Sequence, residues 1–183
     1  RNKTAKNLRE LRKKLTAENK KLVKKIMVCQ GPGCLAAGAR DVETAFREQI
    51  AQAGLEEEVE VVATGCHGLC AMAPVAVIEP EDVVYGRLRE KFVPDVVSRT
   101  VQDGEVVDRL CYGRDPAMAK ARDIPFYGHQ TKRVLRNVGR VDPQRIEDAI
   151  GRGVYGAAAT ALSEMQPDEV VEEVTEEGAE GES

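Results

Sequence analysis

The chain has 183 residues, of which 42% are hydrophobic and only 4% aromatic; five are cysteine, none is tryptophan, and the formal net charge is −4. A chain of that length buries one good core and at most a small appendage. Its longest clear apolar run, residues 73–78, is far too short to span a membrane and no signal-peptide pattern is present, so neither direct membrane insertion nor a secreted disulfide framework is expected. A cytoplasmic chain follows, in which cysteines serve metal or redox chemistry.

The charge is segregated. Residues 1–25 hold eleven Lys/Arg against two acids, and residues 164–183 hold nine acids and no base. This pattern predicts a body flanked by two extensions. In the front one, Leu8, Leu11, Leu15 and Leu22 recur at steps of three, four and seven, which predicts an amphipathic helix with its leucine stripe against the body or a partner. The segment has no aromatic to stack on bases and the whole chain is acidic, so its basic face is read as solvated and no nucleic acid partner is expected. A sequence that opens on Arg1 is not expected to show a natural start.

Residues 25–29 read as the first strand. Residues 41–53 read as a helix with Asp41 as N-cap, with Val42, Ala45, Phe46, Ile50 and Ala53 on one side and Gly54 where it stops. Residues 59–63 are the second strand. Strand, helix, strand over this length implies a right-handed crossover and parallel pairing, which brings both C-terminal strand ends to one edge of the sheet. Residues 76–79 and 83–85 form a hairpin around the turn 80–82. Residues 94–102 read as a helix with Pro94 in its first turn, Gly104 beyond its end, and Val93, Val96, Val97 and Val101 as its buried stripe.

Each parallel strand runs out into a glycine-rich loop with two cysteines. IMVCQGPGCL carries Cys29 and Cys34 at C-x4-C, and VVATGCHGLCAMAP carries Cys66 and Cys70 at C-x3-C. The crossover lets the two pairs meet, and four thiolates held by flexible backbone suit an iron–sulfur cluster. Gly31, Gly33, Gly65 and Gly68 let backbone N–H groups approach the sulfurs, and such bonds raise a reduction potential. A structural four-cysteine zinc site stays open as the alternative, although zinc pairs more often use C-x2-C. A dithiol oxidoreductase is disfavoured by the lack of C-x-x-C. Cys111 lies outside both loops and reads as a packed small hydrophobe. His67 is read as a loop residue beside the cluster, since four cysteines complete a ligand set, and His129 has no visible metal partner.

The element order β-α-β-β-β-α with these cysteine pairs resembles the thioredoxin-like 2Fe–2S ferredoxins, in which Cys29, Cys34, Cys66 and Cys70 would be the ligands. Residues 124–162, IPFYGHQTKRVLRNVGRVDPQRIEDAIGRGVYGAAATAL, are similar to the connector of NADH-binding flavoprotein subunits in complex I-like enzymes, electron-bifurcating hydrogenases and formate dehydrogenases. The matching features are Ile124-Pro125-Phe126-Tyr127, Gln130, Val134-Leu135-Arg136-Asn137, Gly139, Asp142-Pro143, Ile146-Glu147, Gly153 and Tyr155. Together the two resemblances cover about three quarters of the chain. They imply an α/β thioredoxin-like 2Fe–2S domain over 26–104, a basic amphipathic helix over 1–25, a mostly helical connector over 105–163 and an acidic tail over 164–183. They also imply an electron-transfer subunit of an NAD(P)H-linked oxidoreductase complex, with a flavin- and NADH-binding subunit and further iron–sulfur subunits as partners.

In that family an arginine- and glycine-rich loop that cradles FMN phosphate follows the connector. Here the sequence continues as EEGAEGES, whose acids would repel a phosphate. FMN, NAD and 4Fe–4S clusters are therefore expected on a partner or on a portion outside this sequence, and the chain alone is not expected to turn over NADH. Within the connector, residues 133–138 read as a β-like run, with short helices starting at Asp142-Pro143 and at Gly153; Ile146, Ile150, Tyr155, Ala158 and Leu162 are too few for a second core. The domain core is expected to close before Gly104. In the tail, residues 167–174 read as a short helix with Val170, Val171 and Val174 on one side, and residues 177–183 are too polar to order themselves.

Overall fold

A computed structural model describes residues 2–19 and 22–180. In chain order the elements are α1 (Asn2–Asn19), β1 (Lys24–Cys29), α2 (Pro32–Ala36), α3 (Ala39–Gln52), β2 (Val59–Thr64), β3 (Ala76–Glu79), β4 (Val83–Tyr85), α4 (Val93–Asp95), α5 (Pro125–Gly128), α6 (Ile146–Gly151), α7 (Gly156–Glu164) and α8 (Pro167–Glu180), with short 3-10 turns between several of them. They fall into two units. Asn19–Arg145 is one; Arg1–Glu18 with Ile146–Ser183 is the other.

The sheet of the larger unit has the order β2-β1-β3-β4. β1 and β2 are parallel, with Ile26 opposite Val61 and Cys29 opposite Thr64, because the α3 crossover allows no other pairing. β3 runs antiparallel to β1, and the hairpin to β4 pairs Val77 with Val84. Strand alternation sorts the side chains into two cores. Ile26, Val28, Ile78, Val83 and Tyr85 join Val42, Phe46 and Ile50 of α3 on one face. Met27, Cys29, Val77 and Val84 point to the other face, where they meet Cys34, Leu69, Met72 and Ile124. One face is thus a helix–sheet core, and the other is built around the cysteine loops.

α3 starts earlier than expected. Gly38 takes a φ of 92°, a left-handed conformation suited to glycine, and turns the chain into the helix, so Asp41 lies inside the first turn rather than at the N-cap. An acid there still opposes the positive end of the helix. After α4 the chain winds as a π-helix over Val96–Gln102, and the buried Val96, Val97, Thr100 and Val101 recur at steps of four and five, as that wider winding requires.

The core does not close at Gly104. Val107, Leu110, Cys111 and Ala119 belong to the helix-side cluster and Ile124 to the other. Tyr85 fastens the join: its hydroxyl pairs with Thr100 Oγ1 at 2.7 Å and accepts the Val107 amide at 2.9 Å. Val84 N–H donates to the Ala119 carbonyl at 2.7 Å, so residues after Gly104 also cover the open edge of β4. With that edge taken, residues 133–138 form turns rather than the expected β-like run, closed by local bonds such as Val138 N–H to the Leu135 carbonyl at 3.0 Å. The helices expected from Asp142-Pro143 and Gly153 start later, at Ile146 and Gly156. Asp142 instead makes a turn whose Oδ1 accepts Gln144 N–H at 2.8 Å, and Gly153, at φ 81°, reverses the chain after α6.

In the smaller unit α1 ends at Asn19, so Leu22 is not part of its stripe. Leu8 and Arg12 of α1 line a cleft of about 220 Å³ with Ile150, Tyr155 and Ala159 of the α6–α7 segment, and Arg9 forms an ion pair with Glu164. Leu8 of the leucine stripe therefore meets the end of the connector, while Leu11 stays exposed. Of the connector's apolar residues, Ile150 is buried, while Ile146, Tyr155 and Leu162 stay exposed. α8 runs to Glu180, beyond the expected end at 174, with Glu169 accepting the Gln166 amide ahead of its first turn. Residues 181–183 of the tail lie outside the described residues. Among the described residues no helix is long and apolar enough to cross a membrane.

Candidate metal centre

Cys29 is the last residue of β1, and its N–H donates to the Val75 carbonyl at 2.9 Å. The chain then turns at Gly31, enters α2 through Pro32, and returns Cys34 towards Cys29 within one helical turn. Both thiols are sealed, with Cys29 1% and Cys34 2% exposed. The second loop leaves β2 at Thr64, runs irregularly past Cys66, and brings Cys70 to the start of a 3-10 turn, Cys70–Met72. Cys66 is half-buried and Cys70 exposed.

Glycine lets the loops interleave. A Cβ on Gly31 would sit 2.9 Å from Cys66 Cβ and 3.1 Å from its Sγ, which no side chain could tolerate without a shift. At Gly33 the same atom would meet Cys70 Sγ at 3.5 Å. Gly65 faces open space, so of the four expected glycines it has no such contact.

The electrostatics show four thiols sharing one site. The Cys29 thiol is pulled down to about 6, chiefly by the hydrogen bond from Cys34, against burial and with help from the amides of His67 and Gly31 and from Cys66. Cys34 is pushed up by the same bond, by burial and by charge on Cys29 and Cys70. At Cys66 the Gly68 amide, 3.3 Å from Sγ, favours the thiolate, but burial and the charges of Cys29 and Cys70 outweigh it and the thiol is raised. Four thiolates cannot ionise together at this spacing without a cation, and soft cations are what they attract. Among the described residues no group of three or more His, Cys, Asp or Glu side chains is already gathered around a metal-sized point.

The remaining candidates separate from the site. Cys111 is 0% exposed in the helix-side core, its thiol 3.7 Å from the Val107 carbonyl and pushed up to about 11 by burial and by Asp108 and Asp115. The His67 ring lies 3.1 Å from Thr64 Oγ1, and burial, Lys132 and Arg140 hold it down to about 4, so it is a neutral loop residue. His129 is exposed just past α5.

Sequence reasoning gave the connector no part in this site, yet it touches it. Phe126 lies against Gly68, with ring atoms 3.4 and 3.5 Å from where a Cβ would stand. The Tyr127 hydroxyl donates to the His67 carbonyl at 2.9 Å, and Gly139 packs on the His67 ring. Burial and the charges of Cys29, Cys66 and Cys34 push the Tyr127 phenol above its ordinary range, so it stays a donor. The signal was an aromatic pair behind Ile-Pro in a chain with few aromatics.

The comparisons agree on what such a site is. The family model described as thioredoxin-like [2Fe-2S] ferredoxin matches residues 16–100. The 2Fe-2S ferredoxin of Clostridium pasteurianum is 35% identical over 77 residues, covering 42% of this chain and 76% of that protein. This chain belongs to the thioredoxin-like [2Fe–2S] ferredoxin family. The 2Fe-2S ferredoxin of Aquifex aeolicus is also 35% identical, over 88 residues, covering 46% of this chain and 79% of the relative. A solved structure of the thioredoxin-like ferredoxin from Aquifex aeolicus is 33% identical, with a TM-score of 0.45 over 49% of this chain and 89% of that one. The ferredoxin fold is the mixed sheet described above, its cofactor is a 2Fe–2S cluster, and its chemistry is electron transfer.

Proposed function

We propose that Cys29, Cys34, Cys66 and Cys70 hold the 2Fe–2S cluster, and that the chain is an electron-relay subunit of an NAD(P)H-linked oxidoreductase complex, docked on a flavin-bearing subunit through its connector. The cluster, when bound, supplies one-electron storage. The chain's residues set its surroundings: the Gly68 amide donates to Cys66 Sγ at 3.3 Å, and the buried Cys29/Cys34 side excludes water.

The observation that carries the docking is a set of apolar side chains exposed among the described residues. Val134 is 95% and Leu135 58% exposed, and Phe126 and Val138 are also open. They belong to the segment that grips the 66–68 loop, which leads on to the exposed Cys70. An exposed apolar run on a segment that holds a loop of the redox centre is what a partner that exchanges electrons would cover. The resemblance of residues 124–162 to flavoprotein connectors supports the kind of partner.

The test is the double variant Val134→Asp/Leu135→Asp in the full chain, produced together with the flavoprotein of its host. Iron and acid-labile sulfide should be unchanged while FMN no longer co-purifies. Full FMN stoichiometry in the variant complex would overturn docking through this run.

A further inference from the structure

One peptide group connects the connector to a cysteine of the site. The carbonyl of His67 accepts the Tyr127 hydroxyl at 2.9 Å, and the N–H of Gly68 donates to Cys66 Sγ at 3.3 Å. These are the two ends of the single planar unit between residues 67 and 68. Its resonance couples them: a donor on the oxygen draws density from the nitrogen and makes the N–H a stronger donor. A phenol at neutral pH carries the proton that this needs.

The arrangement is held on every side. Ile124 is fully buried in the cysteine-side core and anchors the start of α5. Phe126 packs against Gly68 and stands edge-on to Tyr127, with ring centroids 5.2 Å apart. Gly68 itself has a φ of 82°, a conformation that orients its N–H towards the sulfur and that a side chain would resist. Lys132 Nζ lies 4.8 Å over the Tyr127 ring, and a cation on the ring face draws density from the phenol, which sharpens its O–H as a donor.

We propose that Tyr127 is a positioning residue that tunes the cluster through the 67–68 peptide, with Lys132 assisting from the ring face. The proposal rests on Cys66 being a ligand. The chain Tyr127 O–H, His67 C=O, Gly68 N–H, Cys66 Sγ withdraws charge from the sulfur and favours the reduced cluster, raising its potential. Since Tyr127 and Lys132 both sit in the segment proposed to dock, a partner that shifts this segment would change the potential, and reduction would reciprocally change the partner's affinity.

The experiment is Tyr127→Phe in the full chain, which removes one oxygen and keeps the ring. Iron and sulfide content should be unchanged. In an EPR-monitored redox titration the midpoint should move negative, so that the ratio of reduced to oxidised protein at the wild-type midpoint falls roughly two- to threefold, about 18–28 mV at 59 mV per tenfold for one electron. Lys132→Met should move it the same way by less. 3-Fluorotyrosine installed at position 127 keeps the shape and strengthens the donor, so it should move the midpoint positive; this decides the matter if the phenylalanine variant loses its cluster. An unchanged midpoint in the fluorotyrosine protein, or in a fully loaded Tyr127→Phe protein, overturns the proposal. An unaltered EPR signal in Cys66→Ser would instead overturn the ligand assignment beneath it.

Discussion

The loop carrying Cys29 and Cys34 is part of the sheet and its first helical turn, whereas the loop carrying Cys66 and Cys70 hangs from β2 by irregular backbone and is held by the connector. The first pair is sealed from water and the second opens to it. Strand pairing fixes Cys29 through the Val75 carbonyl, while the 66–68 loop depends on Phe126, Tyr127 and Gly139, far along the chain. One wall of the centre is thus tied into the sheet and dry. The other is open to solvent and held by the connector.

The largest effect that can break this comparison comes from the cysteines. Cys29→Ser and Cys34→Ser place a hydroxyl in a sealed site, where an unpartnered polar group costs about 1–3 kcal/mol, and they also remove a thiolate. These variants should purify without a cluster. Cys66→Ser and Cys70→Ser lie where water relieves that penalty, and should retain a cluster with an altered EPR signal. Cys111→Ser should leave the signal nearly unchanged. If the variants at Cys29, Cys34, Cys66 and Cys70 all behave alike, the dry and wet walls do not differ in the way the exposures imply.

The next effect tests how far the connector belongs to the domain. Ile124 is fully buried on the cysteine face, and Ile124→Ala should cost about 2–5 kcal/mol in unfolding, read by denaturant titration. Removing residues 105–183 should cost far more, since Val107, Leu110, Cys111 and Ala119 are then missing from the helix-side core. A protein ending at residue 104 that melts like the full-length chain would show that the core closes there after all.

How much of this could be read from the residues follows from which forces are local. The strands, the crossover and the meeting of the cysteine pairs were legible because they rest on periodicity, chain reversal and spacing, all written in neighbouring residues. The buried stripe Val93, Val96, Val97 and Val101 was legible for the same reason. The start of α3 was misplaced because Gly38 turns the chain by a backbone conformation that no side chain announces. Gly104 looked like an end because it is one, of a helix; the hydroxyl of Tyr85 that reaches across to Val107 is a contact between residues 22 apart in sequence. The run 133–138 has strand composition but no edge to pair with, and that depends on where residues 119–121 go. The role of Tyr127 was illegible for the strongest reason: it acts on a peptide 60 residues away in sequence, and only the fold makes them neighbours.

The smallest expected effect concerns how the connector is tied to the sheet. Glu60 on β2 takes Lys25 Nζ at 2.8 Å from the neighbouring strand and Arg145 at 2.9 Å from the connector. Burial alone would push this carboxyl up, but the bonds and charges of Lys25 and Arg145 prevail and its pKa is lowered. A carboxyl whose folded pKa is depressed stabilises the protein above its unfolded pKa, near 4.3, and loses that contribution as pH falls through the folded value. Glu60→Gln should therefore lower the melting temperature slightly at pH 7 and leave it nearly unchanged at the acid end, so the wild-type and variant curves converge as pH falls through the lowered folded pKa. Arg145→Gln should reproduce part of the effect, and high salt should shrink it, because Arg145 is half-exposed. Parallel curves across the whole pH range would mean that Glu60 acts through packing alone, and that Arg145 is held there by something other than charge.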